Sequence, residues 1–150
     1  MSNVLEGGCH CGGLRYQVEG DLSDVAHCHC SICRRTSGAP VVTWLTVPRS
    51  GFRWLAGEPG RYTAPSSCVR CFCSTCGAQV ALLTQRSPDT VDVTVGTLDR
   101  PEQVRPRGHI WVDSRLSWLH LDEHLPGEQG ETLGGDVVED HVAENLGRIE

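Results

Sequence analysis

Short runs of apolar residues, separated by turn-forming residues, recur along the chain. Residues 91–95 alternate apolar and polar side chains, as a strand with one buried face does. Gly, Pro and Asp close most of the runs. The predicted strands are 14–18, 41–47, 52–55, 78–84 and 91–95. This pattern predicts a mainly β fold, a small antiparallel β-sheet domain with few short helices.

Two helices are predicted outside the strands. The first follows Cys30, with Ser31 as its N-cap, and ends at the Gly-Ala-Pro of residues 38–40. Residues 127–135 are rich in Gly and Glu and predict a flexible linker. Asp136 would then cap a second helix, which packs on the domain or on a second subunit as a homodimer. Its largely apolar stripe is Val137, Val138, His141, Val142 and Leu146. We therefore divide the chain into a domain, 1–126, and a linker with an acidic tail, 127–150.

Composition narrows the class of protein. With 150 residues and 39% hydrophobic content, the chain fits one domain. The formal net charge of -6 argues against nucleic-acid and membrane-surface partners. The first residues lack a basic segment followed by an apolar one, and no later apolar run is long enough to span a bilayer. We expect a cytoplasmic protein.

Nine cysteines are the unusual feature of the composition. In a reducing cytosol, clustered thiols are more often metal ligands or catalytic groups than disulfides. Seven of the cysteines fall into three groups. These are Cys9 with Cys11, then Cys28 with Cys30 and Cys33, then Cys73 with Cys76. The spacing indicates metal sites.

The last pair predicts half of a structural zinc site. In Cys73-x-x-Cys76-Gly77 the trailing glycine permits the positive φ that a zinc knuckle needs. Zinc prefers four tetrahedral ligands, and Cys9 with Cys11 is the obvious second pair. A redox dithiol or merely packed cysteines are the alternatives. Because the pair leads into a strand rather than a βαβ unit, we favour structural zinc.

The remaining triplet, Cys28, Cys30 and Cys33, predicts a second zinc ion with one open position, as catalytic zinc has. Three thiolates on a divalent cation carry a formal charge of -1. Arg34 and Arg35 could offset this charge and bind the carboxylates of an anionic thiol, or could be two solvated surface residues.

Two histidines flank Cys28. Strand alternation would direct His27 and His29 away from the cysteine side chains, although either could complete a closed site of three cysteines and one histidine. Cys68 and Cys71 belong to neither of the two predicted metal sites. They could be small core residues, or Cys71 could turn toward the triplet and block it.

Together these motifs resemble the glutathione-dependent formaldehyde-activating (GFA) family. The resemblance extends from about Gly7 to Pro126 and includes the Gly96-Thr97-Leu98-Asp99 and His109-Ile110-Trp111 segments. It implies a β-tent type of fold, two zinc ions per chain, and an activity that joins glutathione to formaldehyde to give S-hydroxymethylglutathione. It also implies the ligand roles given above: Cys9, Cys11, Cys73 and Cys76 as structural ligands, and Cys28, Cys30 and Cys33 as catalytic ones.

The resulting hypothesis is a carbon-sulfur lyase acting on a small-molecule thiol, glutathione, and an aldehyde. His109 would contact substrate, and His109 or Asp99 would shuttle a proton, although His109 could equally be a core residue. The rival is a non-catalytic, zinc-stabilised protein-binding module. Centromere protein V resembles the GFA family in its domain and is a binding protein. A methionine sulfoxide reductase is disfavoured because no Cys follows Cys76.

Overall fold

In a computed structural model, which describes residues 3–65, 67–133 and 136–138, short strands are the most abundant secondary structure. The strands are β1 (Val4–Gly8), β2 (Arg15–Glu19), β3 (Val25–Cys28), β4 (Val42–Pro48), β5 (Phe52–Ala56), β6 (Gly60–Thr63), β7 (Cys68–Phe72), β8 (Gln79–Thr84), β9 (Ser87–Thr94), β10 (Gly108–Ile110), β11 (Glu131–Leu133) and β12 (Asp136–Val138). An α-helix, α1, spans Ser31–Ser37, and single 3-10 turns occupy Arg49–Gly51, Val95–Thr97, Pro101–Gln103 and Val112–Ser114. The predicted mainly β fold is confirmed. No helix within the described ranges combines the length and apolarity needed to cross a bilayer.

The strands form two larger sheets and a separate pair. Seven strands lie in the order β10-β3-β4-β9-β8-β7-β6. Neighbours in this sheet are antiparallel, except that β10 runs parallel to β3. The second sheet is antiparallel, in the order β1-β2-β5, and β11 pairs with β12.

Alternation along β4 separates two apolar clusters. Leu45 and Val47 are buried in the main core, which side chains of both larger sheets form. Val42 and Trp44, at the alternate positions, belong to a smaller cluster that also contains Trp111 and the cysteine triplet. Because successive side chains of a strand point to opposite faces, the triplet lies on the face of the seven-stranded sheet opposite the main core.

Helix α1 begins one residue earlier than the sequence predicts. Cys30, with extended φ and ψ of -62° and 146°, is the N-cap, and its Sγ accepts a hydrogen bond from the Cys33 N–H at 3.2 Å. Ser31 is instead the first helical residue and is buried, so the prediction that it caps the helix is wrong. The helix ends as predicted at Gly38, whose φ of 74° favours glycine.

The segment after residue 126 lies along β10. The Glu128 N–H donates to the His109 carbonyl at 2.8 Å, and the Trp111 N–H donates to the Gly130 carbonyl at 3.2 Å. The helix expected to begin at Asp136 is not formed at its first residues, because Asp136–Val138 is a strand paired with β11. Adjacent β-branched valines favour that conformation. His141, Val142 and Leu146 lie outside the described residues, and the division at residue 126 stays a prediction.

Candidate metal centres

Four cysteines from two loops that are distant in sequence come together in the structure. Cys9 and Cys11 follow β1, whereas Cys73 and Cys76 lie between β7 and β8. Their four Sγ atoms lie within 4.8 Å of one another. The Cys9–Cys11 and Cys11–Cys73 sulfur distances are 3.5 and 3.6 Å, and all four residues are free thiols. This is the tetrathiolate arrangement predicted for a structural ion, and its occupancy stays a prediction.

Backbone N–H groups of these loops point at the sulfur atoms. The Leu14 N–H donates to Cys9 Sγ at 3.2 Å, and the Cys76 N–H donates to Cys73 Sγ at 3.4 Å. Hydrogen bonds from the backbone N–H groups of Ala78 and Cys11 lower the pKa of Cys76 to about 6. Such bonds stabilise the thiolate, the form of cysteine that binds metal.

The second group, Cys28, Cys30 and Cys33, lies where β3 leads into α1. Its three Sγ atoms also lie within 4.8 Å of one another, and Cys28 and Cys33 are 3.6 Å apart. Each of the three side chains is at most 3% exposed. Within the described part of the chain, no histidine or carboxylate joins this group as a fourth donor. The triplet is therefore a buried set of three soft ligands.

The thiols of the triplet differ in pKa. Hydrogen bonds with Cys28 and Cys30, together with the positive charge of Arg70, hold the pKa of Cys33 well below its usual value. The same sulfur contacts and burial raise the pKa of Cys28. These contacts favour ionisation of Cys33 over that of Cys28.

Three buried histidines form a chain beside the triplet. His27 is hydrogen-bonded to Thr43 Oγ1 at 2.8 Å and to Asp122 Oδ2 at 2.9 Å. His29 Nε2 lies 2.8 Å from His109 Nδ1, and His109 Nε2 lies 3.0 Å from the Asp122 carbonyl oxygen. Neither flanking histidine reaches a sulfur, as strand alternation predicts. The geometry gives no support to a closed site of three cysteines and one histidine.

His29 is held in its neutral form. Burial, followed by the charge of Arg115, lowers the pKa of His29 to about 4. A neutral imidazole both donates and accepts a hydrogen bond, which suits its contact with His109.

These centres can be compared with known proteins. The family model for the glutathione-dependent formaldehyde-activating enzyme matches residues 4–114. The chain belongs to this family. A Halomonas elongata protein, provisionally named a glutathione-dependent formaldehyde-activating enzyme, is 26% identical in an alignment 160 residues long that covers 97% of this chain and 96% of that protein. A crystal structure of a Rhodobacter sphaeroides protein is similar in fold, with a TM-score of 0.55 and 24% identity over 83% of this chain and 100% of that one.

In this GFA-family chain, the two predicted substrate-binding arginines differ in exposure. Arg34 is half-buried and Arg35 is exposed, and neither forms an ion pair with another described residue. Asp99, the alternative proton shuttle, is bound by Arg15 through contacts of 2.9 and 2.5 Å. Because that pairing occupies the carboxylate, Asp99 is poorly suited to proton transfer.

The spare cysteines stay apart from the triplet. Cys71 is 1% exposed and packs in the main core, on the face of β7 opposite Arg70. The suggestion that Cys71 turns toward the triplet is therefore wrong. Cys68 is half-buried at the start of the same strand and belongs to neither sulfur cluster.

A cavity of about 650 Å³ opens beyond the end of α1. Its lining includes Thr36 and Ser37 at the end of α1 and Gly77 and Ala78 after the Cys73–Cys76 turn. The side chain of Gln79 also lines the cavity, and its amide atoms are buried without a described hydrogen-bond partner.

Charged groups that the sequence did not predict lie behind the triplet. Arg70 contacts Cys33 from β7, and Asp92 lies on the same sheet face two strands away. Glu131, where the linker was expected, is also enclosed, and burial followed by the charge of Asp92 raises its pKa to about 7. The sequence feature that could have pointed to Arg70 is its place within the short, mostly apolar segment that forms β7.

Proposed function

We propose that this chain is a zinc-dependent carbon-sulfur lyase of the S-hydroxymethylglutathione synthase type. It adds glutathione, or a related thiol, to formaldehyde or another small aldehyde, and it catalyses the reverse reaction. The observation that carries the proposal is the triplet, three buried sulfur atoms within 4.8 Å in a chain of the GFA family. Three protein ligands with an open position are typical of catalytic zinc.

Both cysteine groups fit zinc. All seven donors are thiols, the tetrathiolate residues receive backbone N–H bonds, and no disulfide consumes a sulfur. Four thiols would hold a structural ion and three a catalytic one, which makes two ions per chain. Zinc bound at the triplet supplies Lewis-acid activation, lowering the pKa of a thiol or hydroxyl group.

The residues of the chain bind and orient the reactants. Arg34 and Arg35, directly after Cys33 on α1, would bind the carboxylates of the thiol. In the forward direction the thiol loses its proton and its sulfur attacks the aldehyde carbon. The carbon–sulfur bond forms as the π bond of the carbonyl breaks, and the carbonyl oxygen takes up the proton that the thiol has lost. Burial of the triplet keeps competing water away from this step.

His109 supports the site from behind. Both of its ring nitrogens are hydrogen-bonded, one to His29 and the other to the Asp122 carbonyl. This pairing favours a role in which His109 orients His29 over direct contact with substrate. The partners of the protein would be small molecules, and we expect it to act in the cytoplasm, where thiols remain reduced.

The test counts metal and measures exchange in the same preparations. Protein purified without added metal or chelator is expected to hold two zinc ions, and Cys30→Ser one. Exchange NMR on equilibrated glutathione and formaldehyde then measures turnover above the spontaneous rate. Cys30→Ser should lose that turnover, whereas Cys68→Ser, which alters a cysteine outside both groups, should keep the metal and the activity.

Two outcomes would count against the proposal. Full turnover by Cys30→Ser would show that the triplet does not carry the chemistry. A single zinc ion in both proteins would leave only the structural centre and favour the non-catalytic, zinc-stabilised protein-binding module.

A further inference from the structure

A buried arginine lies against the triplet on the side of the sheet. Arg70 is the central residue of β7 and is 4% exposed. Its neighbour Cys71 enters the main core, so Arg70 projects from the opposite face. There its Nη2 donates to Cys33 Sγ at 3.6 Å.

This arginine has few partners for a buried cation. Its Nε and Nη1 atoms are buried without a hydrogen bond to any described group, and no carboxylate in the described ranges forms an ion pair with it. An arginine side chain does not lose its proton in a protein, and an unpaired buried charge costs several kcal/mol. A neutral thiol is a weak acceptor and offers little compensation, whereas a thiolate offers a full negative charge.

A carboxylate on the same sheet face is already engaged. Asp92 lies across β8 from Arg70, and both residues are register partners of Leu82. The Asp92 carboxylate accepts a hydrogen bond from Thr46 Oγ1 at 2.5 Å. Asp92 therefore adds long-range charge near Arg70, and Cys33 Sγ remains the direct acceptor.

We propose that Arg70 is the positioning residue of the triplet: its guanidinium holds the Cys33 thiolate and balances the formal charge of -1 that three thiolates and a divalent ion carry. The inference rests on the proposed function for its second metal site. From the sequence, Arg34 and Arg35 were expected to offset this charge. The inference gives that role to Arg70, a strand residue 37 positions from Cys33 in the chain.

The proposal predicts a loss of metal affinity confined to the triplet. Groups that hold a metal ligand from behind contribute about 10- to 100-fold to metal affinity. We expect Arg70→Met to weaken zinc binding at the triplet by that factor and to leave the tetrathiolate affinity unchanged. Arg70→Lys, which keeps the charge, should recover part of the loss, whereas Arg70→Gln, which keeps only hydrogen-bonding capacity, should not.

The experiment titrates the full-length protein with zinc against a chromogenic chelator, and with cobalt to follow thiolate-to-metal absorption. Arg61→Met makes the same change at an exposed residue of neighbouring β6 and is the matched control. If Arg70→Met does not fold, the comparison of Arg70→Lys with Arg70→Gln replaces it, since both side chains stay polar. A changed cobalt spectrum at the triplet would distinguish ligand positioning from a general loss of stability.

The outcomes separate this inference from the proposed function. If the wild type binds two ions and both uncharged variants bind the second as tightly as the wild type does, Arg70 has no positioning role and the proposed function stands. If the wild type binds a single ion, there is no second centre to position, and both are overturned.

Discussion

Replacing Asp92 with asparagine is expected to stabilise the folded protein above neutral pH and to change it little in acid. Asp92 is in β9 on the sheet face that carries the second apolar cluster, and Thr46 Oγ1 donates to its carboxylate. Burial is the main cause that raises the pKa of Asp92 from 3.8 to about 7, and the charge of Asp24 acts in the same direction. Asparagine preserves the shape and the oxygen that Thr46 contacts.

The raised pKa of Asp92 decides whether its carboxylate stabilises or destabilises the folded protein at each pH. Because the folded protein holds this proton more tightly than the unfolded chain, the carboxylate costs nothing below about pH 4. The cost grows as pH rises from about 4 and is complete above about 7. The displacement of the pKa from 3.8 to about 7 sets an upper limit of about 4 kcal/mol, and partial exposure of the side chain reduces it.

Urea unfolding of zinc-saturated protein at a series of pH values measures this difference. The free energy of unfolding of Asp92→Asn, relative to wild type, should rise between about pH 5 and about pH 8 by roughly 1–3 kcal/mol. The new amide N–H needs a partner of its own, so the pH dependence is the decisive quantity and the absolute difference at one pH is not. Asp89→Asn, at an exposed aspartate of the same strand, is the control. A parallel pH dependence for wild type and Asp92→Asn would refute the reasoning.

Two further predictions concern the loops of the tetrathiolate centre. Cys73→Ser should remove one zinc ion and lower the melting temperature far more than Cys30→Ser does, because the ion links loops that are distant in sequence; equal melting temperatures would contradict a structural role. Gly57→Ala should destabilise the protein by more than the roughly 1–2 kcal/mol of a left-handed alanine, because its Cβ would lie 2.1 Å from the Gly13 carbonyl oxygen. Gly38→Ala, with a similar φ and open space, is its thermal-denaturation control, and equal losses would exclude the clash as the cause.

Features that depend on nearby residues were predictable from the sequence. The spacing of Cys28, Cys30 and Cys33 brings three sulfurs together within a single strand-to-helix turn. Strand alternation likewise predicted that His27 would point away from Cys28, and the runs of apolar residues predicted strands that the structure contains. The N-cap was misplaced by one residue because a cysteine sulfur, rather than the more usual serine hydroxyl, accepts the Cys33 N–H.

The sequence by itself therefore determined the donor sets, the mainly β class and the local direction of side chains, since chain geometry relates these over a few residues. Only the tertiary structure decided that β7 brings Arg70 to Cys33 and that Asp92 lies half-buried on the same sheet face as Arg70. It also decided that β10 lies parallel to β3 and brings His109 to His29. These contacts depend on strand order and register. The physical reason is that alternation specifies two faces for each strand, while packing between distant strands decides what each face meets.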